Sequence, residues 1–137
     1  MNLAIWDIES SSASTDFGSI IEIGGVLVDE NFKEKDRFNL RCSLPEGEIF
    51  QAMALIVNKT SIKQLTQTNF SHYQMLAEVE KIFKKWSPAV FLGWSNIGFD
   101  DEMIRKEFFK GIRYPYLTNA APNKDTMVLI SLVQLMQ

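Results

Sequence analysis

Apolar and polar positions alternate from the start of the chain. Leu3, Ile5, Asp7 and Glu9 project to one side of an extended segment and Ala4, Trp6 and Ile8 to the other, so Leu3 to Glu9 is predicted as a strand. Apolar residues on both faces suit a central strand. Ser10 to Ser19, rich in Ser with Thr15, Asp16 and Gly18, reads as a loop. Ile20 to Val28 is a second β-rich run, followed by a turn near Asp29-Glu30-Asn31. Arg37 to Cys42 then alternates, with Phe38, Leu40 and Cys42 inward and Arg37, Asn39 and Arg41 outward. The first third of the chain is thus an antiparallel meander with one wetted face.

After Leu44-Pro45-Glu46-Gly47 the period lengthens. Tyr73, Leu76, Val79, Ile82, Phe83 and Trp86 recur at three- and four-residue steps opposite Glu78, Glu80, Lys81, Lys84 and Lys85, which predicts an amphipathic helix from about Ser71 to Trp86. Thr60 and Ser61 suit the N-cap of a shorter helix before it. Ser87-Pro88 ends the long helix, Ala89 to Trp94 reads as a buried strand, and Asp100 to Lys110 as a helix stopped by Gly111. Helix followed by strand implies a crossover onto a parallel neighbour. Pro115, Asn119, Pro122 and Asn123 mark a loop, after which Asp125 can cap a helix from Thr126 onward. That segment, with Met127, Val128, Leu129, Ile130, Leu132, Val133, Leu135 and Met136, has almost no polar face. Two coverings are expected for it: a partner, self-association included, or further chain beyond Gln137, in which case the fold is truncated at its C-terminus. The second is preferred. The fold class is α/β, a mixed sheet with flanking helices.

Composition narrows the function classes. The 137 residues are 46% hydrophobic and 23% charged, enough for one packed domain and too few for two. A single cysteine, Cys42, excludes an internal disulfide and a cysteine-based zinc site. The N-terminus has no basic signal-peptide start, and no run reaches the ~18 apolar residues of a membrane span; a cytoplasmic protein without membrane partners is expected. With a net charge of −3, attraction to phosphate must come from a local patch or from bound metal ions.

Acids supply the candidate chemistry. Asp7 and Glu9, two apart on a strand, send carboxylates to one side ~7 Å apart at the base, able to converge on ions between them. Hard divalent cations take oxygen ligands, and two of them ~3.5 to 4 Å apart can activate water and stabilise the leaving oxygen in phosphodiester hydrolysis. The alternative is a solvated strand end, since Asp100 and Glu102 repeat the same spacing. Asp100, Asp101 and Glu102 also suit the positive N-terminus of their helix as plain electrostatic capping. If the first strand and Ala89 to Trp94 are parallel neighbours, however, Asp100 faces Asp7 at one sheet edge and three acids share a crevice.

In order along the chain, Asp7-Ile8-Glu9-Ser10, Ile20-Ile21-Glu22-Ile23-Gly24 and Asn96-Ile97-Gly98-Phe99-Asp100 resemble the motifs of the DEDD family of 3′ to 5′ exonucleases, which have a ribonuclease H-like fold. Gly93 to Glu102, with Arg105, looks most like the exonuclease I group of bacterial single-strand-specific DNA exonucleases. Asp29-Glu30-Asn31-Phe32, Ala54-Leu55-Ile56-Val57 leading into Thr60, and Asp125-Thr126 extend the resemblance from Leu3 to about Leu132. It implies that 1–137 is the N-terminal part of a catalytic domain removing nucleotides from the 3′ end of single-stranded DNA with two Mg²⁺ or Mn²⁺ ions. Asp7 would bridge both ions, Glu9 would bind the first and Asp100 the second. Ser10 and Ser11 would approach the terminal nucleotide, and Asn96 and Phe99 would shape the floor of the site. Glu22 matches the acid of the second strand without an assigned role.

The family's third motif, a His followed five residues later by Asp, is absent. The one histidine, His72, has Ala77 at that distance and reads as structural; Tyr114 and Tyr116 do not supply the tyrosine variant. Little activity is therefore expected of this chain alone. Trp6, Trp86, Trp94, Phe38 and Phe83 fall at core spacings, whereas Phe17, in the loop after Glu9, is a candidate wedge against the terminal base. Lys81, Lys84, Lys85, Lys106 and Lys110 read as solvated helix faces. A noncatalytic exonuclease-like module binding nucleic acid or a protein is the alternative function.

Overall fold

The computed structural model describes residues 1–66, 68, 70–93, 98–119 and 124–125. Three strands come first: β1 (Asn2–Ser10), β2 (Ile20–Val28) and β3 (Glu34–Arg41). Three helices follow, α1 (Ala52–Val57), α2 (Ile62–Thr66) and α3 (His72–Trp86), then β4 (Ala89–Gly93), α4 (Asp100–Lys110), a 3-10 turn at Leu117–Asn119 and β5 (Lys124–Asp125). The sheet order is β3-β2-β1-β4-β5. β1 is antiparallel to β2 and parallel to β4, so the expected meander and crossover are both present, with β1 at the centre.

Both strand register and turn chemistry follow from the sequence. Asp29 Oδ1 accepts from the backbone N–H of Asn31 (2.9 Å) and Lys33 (3.0 Å), making the turn between β2 and β3. Asp7 stands opposite Gly24, and Glu9 opposite Glu22. Between Glu9 and Ser10 the pairing with β2 slips. Such a bulge bends the strand end and re-aims the side chains beside it.

One face of the sheet carries the core. Ala4, Trp6 and Ile8 pack with Ile23, Leu27 and Phe91 beneath the apolar stripes of α3 and α4. Phe83 sits at the centre of an aromatic cluster, 5.7 Å from Trp6 and 5.0 Å from Phe91 between ring centroids. Gly25 lets this layer close, because a Cβ there would stand 2.9 Å from Phe38 and 3.2 Å from Trp86. α3 starts with a capping box: Gln74 N–H donates to Ser71 Oγ (3.2 Å), and Ser71 N–H to Gln74 Oε1 (2.9 Å). Ser61 and Gln64 repeat the device at α2.

Some expectations need correction. β1 is central, yet only its even face is buried: Ile5 and Asp7 are exposed on the other side, which has no helix against it among the described residues. The helix α1 was not anticipated, because its six apolar residues have no amphipathic period. Asp125, read from the sequence as a helix cap, belongs with Lys124 to a short strand that pairs in parallel with Leu92 and Gly93 along the edge of β4. Trp94 and the apolar stretch from Thr126, with the self-association expected of it, lie outside the described residues. No helix among those described is long and apolar enough to cross a membrane.

Candidate active site

Parallel pairing of β1 and β4 brings the carboxyl ends of both strands to one edge of the sheet, where α/β folds build their sites. Asp7 and Glu9 lie on the last turns of the pleat in β1, and Asp100 is the first residue of α4. The carboxyl groups of Asp7 and Asp100 lie within hydrogen-bonding reach of each other. A hydrogen bond between two carboxyl groups requires that one proton lie between them. Burial, the Asp7 charge, that hydrogen bond, Asp101 and Glu9 together push the Asp100 carboxyl up to about 7. Asp100 is only 6% exposed, and its Oδ2 is buried without a hydrogen-bond partner.

Glu9 belongs to the same field. Burial first, then Asp7 and Glu22, raise its pKa, while Arg41 opposes them. Arg41 donates Nε–H to Glu22 Oε2 at 2.9 Å and pairs with it through its terminal nitrogen as well. Glu22 is thus neutralised by its own cation, whereas Asp7, Glu9 and Asp100 form no ion pair among the described residues. A cluster of this kind stores unfavourable charge that a cation relieves, and its donors are all oxygen, the set that hard divalent ions prefer. Among the described residues no three His, Cys, Asp or Glu side chains already stand at the spacing of a formed metal site. The contact of Asp7 with Asp100 and the unpartnered Oδ2 nevertheless fit such an ion.

Beside the acids runs a groove of about 300 Å³, lined by Glu9, Ser10, Ser12, Phe99 and Asp100 on one side and by Gln51, Met53, Ala54, Val57 and Asn58 on the other. Phe99 packs against the core and also lines the groove. Ser10 lines the groove, but its hydroxyl donates to the Ser12 carbonyl at 2.7 Å. Ser11 does not face the groove. Fully buried, it donates its hydroxyl to Glu48 and accepts from the Ser19 backbone N–H at 2.9 Å, so its hydroxyl pins the loop that follows β1. Phe17, at the tip of that loop, is 85% exposed and is not part of the groove lining. Its loop is strapped to α4 by Lys106, which donates to Thr15 Oγ1 (3.0 Å) and Asp16 (2.5 Å). Asn96 lies outside the described residues.

His72 is remote from this groove, its Nε2 standing 2.5 Å from the buried carboxylate of Glu107, in keeping with a structural residue. Sequence reasoning missed the α1 wall as a structural element, although Ala54 to Val57 carries part of the motif resemblance. The signal in the sequence is the unbroken apolar run from Ala52 to Val57 before Asn58; in the structure Met53, Ile56 and Val57 of that run are exposed.

Comparison with known proteins bears on this geometry. In the solved metal-free complex of E. coli exonuclease I with single-stranded DNA, the alignment covers 94% of this chain and 29% of that one, with a TM-score of 0.85 and 16% identity. The product-bound structure of exonuclease I aligns at a TM-score of 0.84 with 16% identity, over 94% of this chain and 30% of that one. The fold is that of exonuclease I over this stretch. It is a mixed sheet, an antiparallel meander with parallel strands beside it and flanking helices, in agreement with the sequence expectation. By sequence, the chain is similar to exodeoxyribonuclease I of Buchnera aphidicola subsp. Schizaphis graminum (strain Sg), with 18% identity over 135 residues, 98% of this chain and 28% of the relative. The chain therefore spans under a third of the exonuclease I it matches. No family model matches it.

Proposed function

We propose that the chain is the N-terminal part of an exonuclease domain that removes nucleotides from the 3′ end of single-stranded DNA with divalent metal, in the cytoplasm. The observation that carries this is the contact of Asp100 with Asp7 at the shared edge of β1 and β4, with an unpartnered buried carboxylate oxygen. Support comes from the likeness to exonuclease I in sequence and fold, including its complex with single-stranded DNA. Asp7, central in the cluster, would hold both Mg²⁺ or Mn²⁺ ions, with Glu9 and Asp100 each completing one. Bound there, the ions would supply Lewis acidity toward the scissile phosphate and an activated water. The protein's own contribution is positional. Pairing with β2 holds Asp7 and Glu9 in regular register at the sheet edge, and Phe99 with the α1 wall bounds a groove open to the end of one strand.

The His-x-x-x-x-Asp pair of the family does not occur in these 137 residues. Loss of a general base typically lowers rate by ~10² to 10⁴. Release of mononucleotide from a 3′-labelled single strand in Mn²⁺ is accordingly expected to be slow, and absent in Asp7→Asn. Internal cleavage, or release that Asp7→Asn leaves unchanged, would contradict the reading. A noncatalytic module is the second reading, and it predicts strand binding indifferent to divalent ions.

A further inference from the structure

The wall of the groove opposite the acids is held in an unusual way. None of the six residues of α1 is buried, so the apolar packing that anchors most helices contributes little here. Two polar ties join its ends to the residues after Glu9. The Gln51 backbone N–H donates to the Ser11 carbonyl at 3.1 Å, and Asn58 Nδ2 donates to the Ser10 carbonyl at 2.8 Å. Ser10 and Ser11 are buried at the point where β1 leaves register with β2. Their carbonyls have no sheet partner guaranteed there and need donors from elsewhere.

Asn58 itself is fixed by the way α1 ends. Its N–H donates to Ala54 O (2.9 Å), Lys59 N–H to Ile56 O (3.3 Å) and Thr60 N–H to Leu55 O (3.1 Å), the paired bonds of a Schellman motif with Lys59 at φ 51°. The backbone of Asn58 therefore cannot drift, and its amide spans a set distance to the strand end that carries Glu9. We infer that Asn58 is a positioning residue: by tying α1 to the Ser10 carbonyl it sets the width of the groove between Met53, Ala54 and Val57 on one side and Glu9 and Asp100 on the other, and thereby the fit of the terminal nucleotide of a single strand. A neutral amide does this without adding a cation that would quench the acids. The inference rests on the nuclease reading and adds to it the residue that gauges the substrate end.

The test measures binding by the whole 137-residue chain. Two 5′-fluorescein oligothymidylates, one with a free 3′ hydroxyl and one with a 3′ phosphate, are titrated in Ca²⁺ by anisotropy, with Mn²⁺ affinity followed by calorimetry. The parent is expected to prefer the free 3′ end. Asn58→Ala and Asn58→Ser should bind that strand about tenfold more weakly, as loss of one partly buried hydrogen bond implies, with binding of the blocked strand and of Mn²⁺ within twofold of the parent. Asn58→Gln, which keeps the amide donor, should recover most of the preference. Equal weakening toward both strands, or none in either Asn58→Ala or Asn58→Ser, overturns the inference while the parent's preference stands. A parent that shows no preference and no need for a divalent ion overturns the nuclease reading and this inference with it.

Discussion

Asp100 illustrates how one residue can serve a site at the expense of the fold. Its carboxyl, pushed up to about 7 by burial and by Asp7, is easier to protonate in the folded chain than in the unfolded one. The sign follows: the folded state binds the extra proton, so its stability is complete below the ordinary carboxylate range near pH 4 and is lost as pH rises through about 7. Metal-free melting temperatures should therefore fall between pH 5 and pH 8, and Mn²⁺ at pH 8 should restore them by neutralising the cluster. Asp100→Asn should flatten that profile and stabilise the metal-free chain at pH 8 by about 1 to 2 kcal/mol, while weakening metal binding. Melts of both proteins across this range check it; a profile unchanged by Asp100→Asn would place the strain elsewhere. The three acids were legible in the sequence because each sits where a strand ends or a helix begins. The burial of Ser11 was not, since its anchor, Glu48, lies in a loop 37 residues away.

At the scale of elements, capping and termination are where sequence and structure agree best. The box at Ser71 and Gln74 starts α3, and Ser71→Ala is expected to cost about 1 kcal/mol in urea denaturation. Lys59 is the opposite case, a non-glycine residue at φ 51° closing α1. Lys59→Gly should relieve about 1 kcal/mol of left-handed strain and raise stability, provided the Schellman bonds persist; a loss of similar size would mean that the lysine side chain contributes there. The strands β1, β2 and β3 and the helices α3 and α4 were legible because their periods run over eight or more residues. Ala52–Val57 was not, because six apolar residues fit a strand or a helix equally, and what makes them helical is the ending at Asn58 and Lys59 together with the ties to Ser10 and Ser11.

For the molecule as a whole, the sheet order β3-β2-β1-β4-β5 is what converts separate motifs into one site. Asp7 and Asp100 are 93 positions apart in sequence, and only the parallel docking of β4 on β1 brings their carboxyl groups together. The crossover rule foretold that docking from the order of elements. The openness of the odd face of β1 was not foretold, because apolar Leu3 and Ile5 on that side read as buried. The central claim is that the acids at this edge bind divalent metal, and calorimetric titration of the chain with Mn²⁺ beside Asp7→Asn tests it most directly. The account predicts weak, saturable binding that releases protons near neutral pH as Asp100 ionises, and none in Asp7→Asn; absent binding in the parent, or the same isotherm in both, would contradict it.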